Sequence, residues 1–220
     1  MTSREPPDRP SYFDQAYRDY EAQNPARKLD HYLRVIESRL GRSPRSLLDI
    51  GCGMGTFLER ARAWFPHATL VGCDIDEQGV VTTDGRVSDV SVVNGRADCL
   101  PMRDDSFEVI TAWDVLEHVE NLPQALRHVL RCLEPGGLAA VVVPVYDGIT
   151  GPIVRILDKD PTHLHKLARH SWLRLFAEHF DDVEWHGIYR ILVTKSLYLH
   201  RPTSRLRNAT AAILLSGRRR

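Results

Sequence analysis

Short apolar runs that alternate with helical stretches predict an α/β fold: a doubly wound, mostly parallel, seven-stranded sheet with helices on both faces. Two further observations carry that prediction. The run Ser46–Ile50 leads straight into closely spaced glycines and then into a helical stretch. Leu138–Val143 is apolar at every position, as a strand buried on both faces must be.

In chain order, Leu29, Tyr32, Leu33, Ile36 and Leu40 recur at helical spacing along one face. Pro25 separates that helix from an earlier one beginning near Tyr12. Strands are expected at Ser46–Ile50, Thr69–Cys73, Val90–Val93 and Phe107–Ala112, with a helix over Thr56–Phe65. A helix over Gln124–Leu133 is stopped by Glu134-Pro135-Gly136-Gly137 before the fifth strand, Leu138–Val143. After Pro144 the rhythm breaks. A short helix, Ile153–Leu157, a helix, His170–Phe180, and two strands, Val183–Ile188 and Ala209–Leu215, are expected there. The basic and apolar residues between those two strands fit no regular element.

The 220 residues suit one domain, with 43% hydrophobic and 26% charged residues. Charge is uneven. Eight Lys and Arg and no acidic residue lie between Trp185 and Arg220, so residues 1–184 hold 21 basic against 29 acidic groups, a net of −8. A body that acidic argues against a protein that coats nucleic acid. Cys52, Cys73, Cys99 and Cys132 lie far apart with no zinc-ligand spacing, which suits a reduced, cytoplasmic chain. Residues 1–10 read as a disordered lead-in without a secretory signal, and Gly187–Leu199 is too short to span a bilayer.

The most informative segment is Leu47-Leu48-Asp49-Ile50-Gly51-Cys52-Gly53-Met54-Gly55-Thr56. Glycines after a strand permit a tight turn and a close approach of ligand to backbone. A dinucleotide loop of the form G-x-G-x-x-G would need a glycine where Thr56 stands, and no phosphate-binding lysine follows. Asp49 would repel a pyrophosphate and suits a ligand bearing an ammonium group.

This segment resembles motif I of the class I S-adenosylmethionine-dependent methyltransferases, and later segments resemble the rest of that family in order. They are Val71-Gly72-Cys73-Asp74-Ile75-Asp76, Gly95-Arg96-Ala97-Asp98-Cys99-Leu100-Pro101, Asp114-Val115-Leu116-Glu117-His118-Val119 and Leu133-Glu134-Pro135-Gly136-Gly137. The match covers Tyr17 to Val143 and is nearest the small-molecule branch that includes quinone-biosynthesis enzymes. The resemblance implies a Rossmann-like domain divided into an N-terminal helical lid (11–42), a cofactor-binding core (43–144) and an acceptor-side excursion with the final strands (145–220). It implies a cofactor site of Tyr17, Asp49, Gly51, Cys52, Gly53, Gly55, Asp74, Ile75, Asp98, Cys99, Leu100, Trp113 and Asp114. Within it, Asp74 would take the ribose hydroxyls, Ile75 would pack on the adenine and Asp98 would meet the adenine amino group. The reaction implied is transfer of the methyl of S-adenosylmethionine to a small organic acceptor, lipid-like or anionic.

Such a displacement needs alignment, exclusion of water and a place for one proton. His118, His163 and His165 are the candidates for the proton. Asp114, Glu117 and His118 form a weaker alternative, since they resemble a carboxylate–carboxylate–histidine pattern that holds a divalent ion in some relatives. The main expectation is that no metal is used. Arg27 and Lys28 are placed to meet the cofactor's carboxylate, and Tyr12, Tyr17 and Tyr20 to close over it. The segment Tyr189–Arg207 with Arg218, Arg219 and Arg220 offers contact with an anionic acceptor or, peripherally, an anionic membrane. Where base-modifying methyltransferases carry their Pro-Pro element, this chain has Ala112-Trp113-Asp114-Val115, so a nucleic-acid base is not the expected acceptor. The alternatives are a non-catalytic protein that binds the same cofactor and an NAD-dependent oxidoreductase.

Overall fold

A computed structural model describes residues 23–148, 151–158, 160–194 and 197–220. Tyr12, Tyr17 and Tyr20, with residues 11–22 of the expected lid, lie outside them. The first described helix is α1 (Ala26–Leu40), ended by Gly41 in the left-handed region. β1 (Ser46–Ile50), α2 (Thr56–Trp64), β2 (Thr69–Asp74), α3 (Glu77–Arg86), β3 (Val90–Asn94) and β4 (Phe107–Trp113) follow. A single 3₁₀ turn, Leu116–His118, precedes α4 (Leu122–Cys132) and β5 (Leu133–Pro144). The remainder is α5 (Gly151–Leu157), α6 (Arg169–His179), β6 (Asp181–Thr194), β7 (Leu197–Thr203) and β8 (Ala212–Arg218).

These strands form one sheet in the order β3-β2-β1-β4-β5-β8-β6-β7. β1 to β5 are mutually parallel, while β8 runs antiparallel between β5 and β6, and β7 pairs antiparallel with β6 at the edge. Among the described residues the sheet therefore has eight strands, not the expected seven. The additional one is β7, in the segment where Arg201 and Pro202 interrupt any apolar alternation. Proline is admissible there because an edge strand leaves one row of backbone groups unpaired. β5 also starts earlier than expected, at Leu133, and takes in the Glu134–Gly137 turn with an irregular register against Phe107 and Val109 of β4.

Side chains alternate along β5 between the two faces of the sheet. Ala139, Val141 and Val143 face one cluster, with Leu122, Leu126, Trp172 and Phe176 of α4 and α6. Leu138, Ala140 and Val142 face the other, with Leu29, Leu33 and Ile36 of α1 and Phe57 and Leu58 of α2. This two-sided burial is why the central strands read as unbroken apolar runs. Helix caps fix the turns at the strand tips: Asp76 accepts from the Gln78 backbone N–H at 3.0 Å and Asn121 from that of Gln124 at 3.1 Å. The order reverses between β1 and β4, which opens a crevice at the carboxyl ends of the strands, the usual ligand position in such a sheet.

Candidate cofactor and acceptor site

A cavity of about 550 Å³ fills that crevice. Its floor is the glycine turn after β1. Gly51 donates its N–H to the Cys73 carbonyl at 2.7 Å, tying the turn to β2. Its φ of +70° is in the left-handed region, and a Cβ there would lie 2.3 Å from Val115 Cγ2. Only glycine fits both constraints. Gly53 donates its N–H to Asp74 Oδ2 at 2.7 Å, and Asp76 donates to Asp74 Oδ1 at 2.9 Å. Burial raises the Asp74 carboxyl, and these backbone donors oppose it. Asp49 is 1% exposed and accepts from the Thr111 hydroxyl at 2.7 Å. Burial pushes it up to about 8, with the Thr111 bond acting against the shift and Asp74 adding to it. Two acidic side chains, Asp49 and Asp74, therefore stand beneath the glycine turn, with no basic side chain in hydrogen-bond contact with either among the described residues. That is the wrong floor for a pyrophosphate and a suitable one for hydroxyls and an ammonium. Beside it, Ile75 is 65% exposed, an apolar platform at the end of β2.

α1 closes one side. Tyr32 stacks on Trp113 with ring centroids 4.3 Å apart, and Phe57 meets the same indole edge-on. Asp114, next to Trp113, has a φ of +57°, a strained conformation for a non-glycine residue. Arg190 of β6 donates to Asp114 Oδ1 at 2.5 Å, and Lys28 Nζ of α1 stands 3.7 Å from Oδ2. Burial alone would raise Asp114, but the charges of Arg190 and Lys28 outweigh it and hold the carboxyl below its ordinary range. Burial brings Lys28 down to about 8 despite Asp114.

The far end is built by the 3₁₀ turn, Asp158 and residues 160–165. The Glu117 carbonyl accepts from the Leu164 and His165 N–H groups at 2.8 and 3.1 Å, which pins the loop to the turn. The Thr162 hydroxyl donates to Asp160 at 2.5 Å, so it accepts from His118 Nδ1 at 2.8 Å. His163 Nδ1 lies 2.8 Å from Asp158, which also accepts from Tyr146 at 2.5 Å and pairs with Lys166 at 2.9 Å. With Nδ1 of both rings committed as a donor, Nε2 of each carries the lone pair. Burial lowers His118, and the neighbouring His163 adds to that. Glu117 is 1% exposed, and its Oε2 has no hydrogen-bond partner among the described residues. Burial, followed by the nearby Asp114, raises this carboxyl well above its ordinary value.

Of the residues singled out from sequence, Asp49, Gly51, Cys52, Gly53, Asp74, Ile75, Trp113, Asp114, His118 and His163 line this cavity. Gly55, Asp98, Cys99, Leu100 and His165 do not. Gly55 caps α2 in the left-handed conformation. Arg96 holds Asp98 in a two-pronged pair at 2.9 and 3.0 Å, which keeps its carboxyl below the usual range. Cys99 is exposed and Leu100 is core. His165 donates from Nε2 to the Val119 carbonyl at 2.7 Å. Among the described residues, the side chains close enough to share one cation are Glu117, His118 and His163, while Asp114 is engaged by Arg190 and Lys28. Asp160 and Thr162 are cavity residues given no individual role from the sequence, and Arg190, expected only as part of the basic segment Tyr189–Arg207, stands in the cavity against Asp114. The signal for Arg190 was a lone cation within an apolar strand, which implies a buried partner.

Comparison with known proteins adds the decisive observation: residues 17–189 match the family model described as a methyltransferase domain. The chain belongs to that family. It is 27% identical over 165 residues to an uncharacterized methyltransferase, YcgJ, of Bacillus subtilis, covering 68% of this chain and 63% of that protein. A ubiquinone biosynthesis O-methyltransferase of Agrobacterium fabrum is 34% identical over 127 residues, covering 52% of this chain and 50% of that protein. Among solved structures, the N-methyltransferase NodS of Bradyrhizobium japonicum in complex with S-adenosyl-l-homocysteine superposes with a TM-score of 0.62 at 18% identity, covering 88% of this chain and 86% of that one. The chain spans between 41% and 63% of the first curated relatives it matches. At such identity, the structural likeness is one of fold. No described helix is long and apolar enough to cross a membrane.

Proposed function

We propose that the chain is a methyltransferase that binds S-adenosylmethionine at the glycine turn and methylates a small organic acceptor. The observation that carries this reading is the continuity of one cavity from Gly51, Gly53 and Asp74 to His118 and His163. Bound there, S-adenosylmethionine supplies an activated sulfonium methyl, so the protein's task is alignment and proton handling. Asp74 takes the ribose hydroxyls and exposed Ile75 the adenine face. Asp114, flanked by Lys28 and Arg190, offers one anion between two cations, a match for the ammonium and carboxylate of an amino acid. Trp113, Tyr32 and Phe57 exclude water beside it. His163 is the proton acceptor, with Asp158 fixing its tautomer so that Nε2 is basic. His118, oriented by Thr162, faces the same space. His165 and the Glu117 carbonyl hold the loop in register.

An anionic acceptor has little support at the cavity itself. Arg190 is matched there by Asp114, and Arg218, Arg219 and Arg220 are paired with Asp182, Asp105 and Asp181 at the surface. The test is transfer of labelled methyl from S-adenosylmethionine to pooled small molecules. Transfer that Asp74→Ala abolishes is expected. Tight cofactor binding with no transfer to any pool would favour the non-catalytic reading.

A further inference from the structure

We propose that Tyr146 is a positioning residue for the proton acceptor, its hydroxyl fixing the tautomer of His163 by holding Asp158 against Nδ1. The inference rests on the reading of His163 above and adds the group on which its tautomer depends. The imidazole stands between two carboxylates that favour opposite tautomers. Asp158 lies 2.8 Å from Nδ1, and Asp160 Oδ2 lies 3.9 Å from Nε2. A proton on Nδ1 leaves the lone pair on Nε2, whereas a proton drawn to Nε2 by Asp160 would leave that nitrogen unable to accept another. The Tyr146 hydroxyl supports the first arrangement twice. It donates to Asp158 Oδ2 at 2.5 Å and lies 3.1 Å from His163 Nδ1. With its own proton given to Asp158, its oxygen is an acceptor, so the Nδ1 proton meets one oxygen from Asp158 and one from Tyr146.

Burial, and then the bond to Asp158, raises the Tyr146 hydroxyl well above the ordinary tyrosine value, so it keeps the proton it donates. Burial alone would raise Asp158, but the bonds from Tyr146, His163 and Lys166 outweigh it and hold the carboxyl well below its ordinary range. A charged acceptor therefore faces Nδ1, and bonds to charged acceptors are the stronger ones. Tyr146 can aim that carboxylate because it is anchored beside the sheet. It follows β5 closely and is 6% exposed. Val145 donates its N–H to the Ala211 carbonyl at 3.0 Å, and Tyr146 its own to the Leu167 carbonyl at 3.1 Å. Gly151, the first residue of α5, packs on the Tyr146 carbonyl so closely that a Cβ would lie 2.8 Å from it. Lys166 Nζ is 2.9 Å from the same Oδ2 of Asp158, but an ammonium on a flexible stem adds charge without fixing a direction. Without the hydroxyl, Asp158 keeps Lys166 and loses the rigid donor that turns it toward the ring.

Long-range proton–nitrogen spectra of protein labelled with ¹⁵N-histidine report the tautomer without knowledge of the acceptor. They are recorded with S-adenosylhomocysteine and EDTA at about pH 8.5, well above the ordinary histidine value, and His163→Gln identifies the signal. In the native protein His163 should be in the Nδ1–H form alone. In Tyr146→Phe, which keeps the ring and its burial, the Nε2–H form should rise to at least about a tenth of the rings, and methyl transfer should fall about tenfold, the effect of losing about one hydrogen bond. An unchanged S-adenosylhomocysteine Kd reports that the variant is folded. Lys166→Met, which removes charge from the same carboxylate oxygen, should keep the Nδ1–H form. A Tyr146→Phe protein with only the Nδ1–H form overturns the proposal whatever its stability, as does a native protein already in the Nε2–H form. An equal tautomer shift in Lys166→Met would give the effect to the charge around Asp158 and overturn it as well. Failure to bind S-adenosylhomocysteine would sink the cofactor reading, a separate outcome that leaves the tautomer measurement standing.

Discussion

Gly51→Ala tests the geometry on which the whole site stands. The residue's φ of +70° costs an alanine about 1 kcal/mol or somewhat more. The new Cβ would also lie 2.3 Å from Val115 Cγ2, so either β1 or the 114–118 turn must shift. Overpacking of that kind costs about 1–3 kcal/mol, giving a total of about 2–4 kcal/mol. Gly41 supplies the control: its φ is +73°, but nothing lies within 4 Å of the place an added methyl would take, so Gly41→Ala should cost only the conformational part. Adding Val115→Ala to Gly51→Ala removes the clashing methyls and should restore at least about 1 kcal/mol despite the lost packing. Urea unfolding followed by tryptophan fluorescence gives the stabilities, and calorimetry gives S-adenosylhomocysteine affinity, which Gly51→Ala should weaken at least tenfold. The reasoning fails if Gly51→Ala is no more destabilising than Gly41→Ala, or if Val115→Ala makes the pair of changes simply additive.

Three further outcomes follow from the charges. Asp158→Asn removes the group that fixes the His163 tautomer, so turnover should fall about a hundredfold with a changed pH profile and an unchanged S-adenosylhomocysteine Kd; an unaltered rate would exclude His163 as the base. Lys28→Met should weaken S-adenosylhomocysteine much more than methylthioadenosine, which lacks the amino-acid end, and equal losses would remove Lys28 from that end of the site. Burial, with lesser repulsion from neighbouring cations, pushes His31 down to about 4 and His200 to about 3, and the rings meet at 3.1 Å between α1 and β7. Their folded values lie below the ordinary 6.5, so the unfolded chain binds more protons and acid favours unfolding. That stability is complete above pH 6.5 and is lost as pH falls toward 4. His200→Gln should flatten the slope of stability between pH 5 and 6 by about 1 kcal/mol per pH unit, and an unchanged slope in urea titrations would contradict it.

How far the sequence foretold this depended on local signals. β1, β2 and β4 begin at the expected residues because each pairs a buried apolar run with a turn or cap beside it, and β3 does so on its valines although none of its residues is fully buried. α3 was not anticipated. Glu77–Arg86 contains Gly79, Gly85 and four β-branched residues, all poor helix formers, and buries only Gly79 and Thr83. It is a helix because β2 and β3 are parallel and need a crossover. β7 escaped notice because its edge position tolerates Arg201 and Pro202. In the site, the glycine turn, Asp49 and Asp74 were legible as one contiguous motif and one strand end. The Lys28–Asp114–Arg190 group joins α1, the end of β4 and β6, and the Glu117–His118–His163 group joins residues some forty-five positions apart. Sequence names their members, but only the folded sheet brings them together.

The most direct measurement is calorimetric titration of the purified protein with S-adenosylhomocysteine, with NAD as the comparison. The account requires S-adenosylhomocysteine to bind in the micromolar range or tighter, NAD not to bind, and Asp74→Ala to abolish the heat. NAD binding without S-adenosylhomocysteine binding would contradict the cofactor reading, and the glycine turn would have to be reassigned to a dinucleotide.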